Sequence, residues 1–154
     1  MASYANGVRV SEETSMKVSS YYRGVIYLST QIAKLPWEIK SKDNEVIEGP
    51  VSTLLSLAPN PEMNAFKFRL FMVQQAIHHG NAFAEIERDY LNRPVALWPL
   101  NTSRVAIIRT ETGELVYRYT NPDNGYTYLD PKNVFHLPNF HIASDGRTGL
   151  GLVS

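Results

Sequence analysis

"AIHHGNAFAEIERD", residues 76–89, is the stretch whose reading decides the fold. Upstream of it, "NAFKFRLFMVQQ" (64–75) is rich in helix formers. Downstream, Ala82, Ala84 and Ile86 alternate with Phe83, Glu85 and Glu87, which is the period of a strand. Gly80 therefore stands where a helix ends in the left-handed conformation, and Asn81 opens a strand. The adjacent imidazoles of His78 and His79 point about 100° apart on a helix, which suits poorly two ligands of one metal. Placed in the last turn, they complement the helix dipole instead. Gly80–Asn81 reads as a helix-to-strand corner.

The rest of the chain extends that plan. Asn64 is an N-cap for the helix 65–79. Phe66, Phe68, Leu70, Phe71, Met72 and Val73 surround much of that helix, so it is expected to be buried on two sides, in the core or against a neighbouring subunit. "SEET" (11–14) starts an earlier helix that runs to Lys34, where Val18, Tyr21, Val25, Leu28, Ile32 and Leu35 fall on one face. Pro36 closes it. "WEIKS" (37–41) reads as a short strand, Val51–Leu57 as a short helix, and Pro59-Asn60-Pro61 as a stiff elbow. After the corner come strands at 95–100, 105–109, 115–120 and 126–129, with a last one inside 130–140. Glycines at 113 and 125 supply positive φ in two of the turns. The expected architecture is α+β: N-terminal helices packed on an antiparallel β meander. Residues 1–10 read as a flexible arm and 11–154 as a single domain.

Composition narrows the function classes. The 154 residues are 44% apolar and 19% charged, with fifteen basic and fifteen acidic side chains and no cysteine. A net charge of zero argues against tight non-specific binding to DNA or anionic membranes, and the lack of cysteine removes thiolate chemistry. No secretion signal and no membrane-spanning run is visible. The sequon Asn101-Thr102-Ser103 is read as chance. Glu85 and Glu87 share a strand face but read as solvated. "GRTGLG" (146–151) lacks the Lys-Ser/Thr ending of a phosphate loop, and no Ser sits in a G-x-S-x-G elbow. His136 and His141 are the remaining candidates for a scattered hydrolase site. Such a site would require an imidazole within about 4 Å of a carboxylate or hydroxyl in a cleft. Tyr117, Tyr119, Tyr126 and Tyr128 alternate on strands and could stack bases, although cross-strand packing accounts for them. No catalytic, cofactor or metal residue is assigned.

The order of landmarks carries a resemblance. "QIAKLPWEIK", "LLSLAPNPEMNAFKFR", "HHGNAFAEIERD", "VALWPLNTSRVAI", "LVYRY", "NVFHLPNF" and "DGRTGLG" follow one another as in the N-terminal part of HK97-type tailed-bacteriophage portal proteins. The resemblance covers roughly residues 11–151. It departs at the end, where Gly151-Leu152 replace the Ser-Pro of the usual G-x-x-G-x-S-P. Family members are also much longer, so the chain resembles the outer wing, truncated before the stem and clip. The resemblance implies a non-enzymatic structural subunit without cofactor, in a homo-oligomeric ring of about twelve copies. It implies a place at the capsid vertex of the virion, assembly in the bacterial cytoplasm, and duplex DNA passing through without sequence specificity. Its implied partners are terminase, a head-tail adaptor, and capsid or scaffold protein; no membrane is involved. A small hydrolase built around His136 or His141 stays the alternative.

Overall fold

The computed structural model describes residues 4–5, 8–9, 12–139 and 143–149, with side chains from Ser19 onward. Two short strands, β1 (Tyr4–Ala5) and β2 (Val8–Arg9), pair antiparallel within the stretch read as an arm. Three helices follow: α1 (Glu12–Lys34), α2 (Pro50–Ser56) and α3 (Ala65–His79). The strands after them are β3 (Asn81–Arg88), β4 (Pro94–Leu100), β5 (Val105–Arg109), β6 (Leu115–Thr120), β7 (Tyr126–Leu129) and β8 (Val134–Pro138).

The strands form two three-stranded antiparallel sheets, not one continuous meander. β5–β6–β7 is a meander, but β8 leaves it and returns to the far side of β3, giving the order β4–β3–β8. The composition of β8 explains its destination. Phe135 and Leu137 face the helical core beside Ala84 and Ala82, while Val134 and His136 face the second sheet beside Phe83. Both faces of β8 are thus half-buried, which the outer edge of the meander would not provide.

Two cores result. Phe68, Met72 and Ala76 of α3 pack with Leu55, Ala82, Ala84 and Leu97 between the helices and one face of the first sheet. Phe83, Val134 and Tyr117 pack between the two sheets, with Leu100, Val105, Ile107, Leu115 and Leu129 around them.

The helix α1 is rotated from the face its leucines suggest. Ser29 and Ala33 are fully buried, whereas Leu28 and Leu35 are 51% and 59% exposed. Small side chains allow a close approach of helix backbones, so the contact line runs through Ser29 and Ala33. The Ser29 hydroxyl meets its own helix, donating to the Val25 carbonyl at 2.6 Å. Arg69 completes the joint. Its Nε donates to the Ala33 carbonyl at 2.8 Å and its Nη1 to the Leu55 carbonyl at 3.1 Å. A single buried guanidinium thereby satisfies the carbonyl-rich C-terminal turns of both α1 and α2.

Smaller departures have local causes. "WEIKS" makes one bridge, Lys40 with Val46, and no strand. The elbow 59–61 is an edge device as well as a turn. The Pro59 carbonyl accepts from Leu97 N at 2.7 Å and the Asn60 amide donates to the Leu97 carbonyl at 2.8 Å, which covers the outer edge of β4. In the turn after β6 the positive φ falls on Asn124, not Gly125. Asparagine tolerates that region.

Candidate functional site

The corner between α3 and β3 is the polar centre of the molecule. Asn64 Oδ1 accepts from Lys67 N at 2.9 Å and starts α3. Gly80 ends it at φ 82°, and Asn81 follows, 7% exposed, as the first residue of β3.

Asn81 is a hub. Its Oδ1 accepts from Gly149 N at 2.8 Å and its Nδ2 donates to the Gly149 carbonyl at 2.9 Å. The side-chain amide thus pairs with a backbone residue in both directions, as a neighbouring strand would. The same Oδ1 lies 2.8 Å from His136 Nε2, so that ring nitrogen must be the one carrying the proton. Nδ1 is then an acceptor, and the Tyr117 hydroxyl donates to it at 3.2 Å. The imidazole stacks on Phe83 with centroids 4.6 Å apart, and Tyr117 meets both rings edge-on. Burial pushes the His136 pKa down, opposed in part by Asp145, and pushes the Tyr117 phenol up.

The loop 143–149 is shaped to reach this hub. Asp145 Oδ1 accepts from Arg147 N at 2.9 Å and Thr148 N at 2.8 Å, and its other oxygen accepts from the Thr148 hydroxyl. These donors, the Thr148 hydroxyl foremost, hold the Asp145 carboxyl down at about 2. Gly149 is then seated between Gly80 and Asn139. A Cβ on it would fall 1.8 Å from the Gly80 carbonyl oxygen and 2.5 Å from Asn139 N. Gly149 of "GRTGLG" therefore serves close backbone packing, whereas Gly146 turns the loop at φ 70°.

The other sequence candidates are dispersed. His78 Nδ1 lies 3.1 Å from the Tyr21 hydroxyl on α1, and His79 sits edge-on to His78 at 4.7 Å. Burial and the neighbouring His78 lower the His79 pKa. On α3, Phe68, Met72 and Val73 are buried, Leu70 and Phe71 half-buried, and Phe66 is 37% exposed. Glu87 accepts from Trp98 Nε1 at 2.6 Å. Tyr117 and Tyr119 lie on the opposite face of the second sheet from Tyr126 and Tyr128, so the four do not form one stacking platform. His141 lies outside the described residues.

An open cleft of about 320 Å³ adjoins the hub, lined by His79, Asn81, Phe83, Thr102, Val105, Ile107 and Thr148. Among the described residues no carboxylate lines it. Among the described residues no three of His, Asp and Glu converge as metal ligands. The hydroxyl within reach of the His136 ring is that of Tyr117, which itself donates to it. As built, the hub ties α3, both sheets and the 143–149 loop together. It organises the packing around the corner.

Sequence reasoning missed Asn81 as a hub, Arg69 as a joint and Gly149 as a seat. The signals were a polar residue opening a buried strand, a cation within an apolar helix, and a glycine with no turn to explain it.

The chain belongs to the phage portal protein family, whose family model matches residues 19–154. It is 31% identical over 153 residues to the portal protein of Enterobacteria phage HK97, covering 96% of this chain and 34% of that protein. It thus spans about a third of the length of this relative. Among solved structures, the neck of a native gene transfer agent particle, computed with C12 symmetry, matches with a TM-score of 0.66 at 21% identity, covering 84% of this chain and 34% of the other. The crystal structure of an HK97-family phage portal protein from Corynebacterium diphtheriae matches with a TM-score of 0.57 at 18% identity, covering 85% and 40%.

Proposed function

We propose that this chain is the wing part of a portal subunit. Twelve or so copies surround a channel at one capsid vertex, through which duplex DNA is packaged and later ejected. The observation that carries this reading is the family match, which runs through the whole described core from α1 to the 143–149 loop. The fold shared with a neck computed in C12 symmetry supports the ring.

The chemistry agrees with a passive role. The polar residues of the hub are occupied with one another, and a chain of zero net charge would let a duplex slide without gripping it. On this reading the protein is not an enzyme. The terminase brings the packaging motor, and the adaptor and capsid or scaffold protein dock on the assembled ring. The protein resides in the virion and assembles in the bacterial cytoplasm. No helix among the described residues is long and apolar enough to cross a membrane.

Gold-labelled antibody against this chain, applied to purified particles, tests the reading. A single label per particle at the neck is expected. Label spread over the capsid, or absent from particles, would contradict it.

A further inference from the structure

The second sheet turns two different faces outward and inward. Val105, Ile107, Leu115, Tyr117 and Leu129 pack toward the first sheet. The alternate positions share the opposite face: Ile108 on β5, Val116 and Arg118 on β6, Tyr126 and Tyr128 on β7. Tyr126 and Tyr128 are 57% and 60% exposed. Arg118 lies between them, its guanidinium carbon 4.7 Å from the centre of the Tyr126 ring and Tyr128 its direct cross-strand partner. Arg118 Nε is buried without an acceptor, and no carboxylate among the described residues pairs with the group. Tyrosines and an arginine clustered on one sheet face have the composition of a binding hot spot. A cation with no carboxylate partner in its own fold favours an acidic neighbour on the exposed face beside it.

The complementary chemistry is present elsewhere on the same chain. The hairpin "KDNEVIE" (42–48) exposes Asp43, Glu45 and Glu48 around Val46 and Ile47, which are 54% and 47% exposed. Lys42 is its single base. Its shape is fixed: Ser41 N donates to the Glu45 carbonyl at 2.8 Å, and Ile47 N to the Ile39 carbonyl at 2.8 Å. Ile39 packs into the core between the helices and the first sheet, whereas the Tyr–Arg face lies beyond the second sheet. The two patches thus flank different core clusters. A contact between them in two copies is head-to-tail, the geometry that closes into rings or runs on as filaments.

We propose that the face formed by Tyr126, Arg118 and Tyr128 of one copy receives the Asp43–Glu48 hairpin of the next. This deepens the ring reading by naming its contact surfaces. Sedimentation velocity of the purified chain across micromolar to millimolar concentrations tests it, with circular dichroism to confirm folding. The wild-type mass is expected to rise with concentration. Arg118→Glu, and separately the pair Glu45→Arg with Glu48→Arg, should weaken association about tenfold or more. Tyr128→Ser, which alters no charge, should weaken it as well. Mixing the two charge-reversed chains should restore association in alternation, because the unchanged Arg118 face meets the unchanged acidic hairpin and the reversed face meets the reversed hairpin. A wild-type chain that stays monomeric throughout, charge reversals without effect, or a mixture that associates no better than either variant alone would each overturn the proposal. Gold label at the neck together with any of these results would leave the ring standing on other surfaces.

Discussion

Replacing Asn81 by alanine removes three hydrogen bonds in one step, those to Gly149 N, the Gly149 carbonyl and His136 Nε2. Each partner left unpaired in a buried site costs on the order of 1–3 kcal/mol. The three share one side chain and lie beside an open cleft that admits water, so their costs do not add fully. The expected total is about 3–5 kcal/mol, a sizeable share of the roughly 5–15 kcal/mol that holds a domain folded. For a chain of this size that lowers Tm by roughly 10 °C or more in a thermal melt. Hydrogen exchange then separates cause from consequence. The Gly149 amide, which donates to Asn81, should lose protection first, while the amides of α3 remain slow. A loss below about 1 kcal/mol, or an unchanged Gly149 amide, would refute the view that this amide holds the loop to the sheet.

Other expectations follow from the same structure. Arg69→Met removes the guanidinium from the Ala33 and Leu55 carbonyls and should cost about 2–4 kcal/mol by denaturant titration, with Arg69→Lys recovering only part because an ammonium does not span both. Gly149→Ala drives a methyl into the Gly80 carbonyl and should destabilise by about 3 kcal/mol or more, well beyond the roughly 1 kcal/mol expected for an ordinary glycine-to-alanine change at positive φ. Acid should weaken the fold in two windows. The folded His136 pKa lies below its unfolded value of 6.5, so the unfolded chain takes up its proton first and stability falls as pH drops below that value; His136→Gln should flatten this slope and leave the same-signed contribution of His79. Asp145, lowered to about 2, adds stability above 3.8 that is lost between those two values, and Asp145→Asn should reduce that second slope in urea titrations, leaving the same-signed contributions of Asp89 and Asp130.

The sequence was legible wherever a local rule was enough. The period change at Gly80 placed α3 against β3, and Asn64 and Gly80 bound α3 as their chemistry requires. The α+β class, with helices before antiparallel strands, followed from the same local signals. Long-range pairing was not legible. Nothing local in "NVFHLP" says that β8 returns to β3, because its half-buried pattern fits either sheet. The face of α1 was misjudged because Leu28 and Leu35 are the more apolar residues, while helix approach selected the smaller Ser29 and Ala33. The hub stayed hidden for a related reason. Its members lie 55 and 68 residues apart, and a histidine seen singly suggests chemistry until its Asn81 and Tyr117 partners are known. The resemblance, by contrast, rested on ordered short motifs, which survive without any knowledge of contacts.

The central claim is that these residues build a ring module. A cryo-electron microscopy reconstruction of the neck of particles containing this chain tests it most directly. The account predicts the α+β domain repeated around the channel, each Tyr126–Tyr128 face lying against the neighbour's Asp43–Glu48 hairpin. A neck whose density contains no copy of this domain would contradict it.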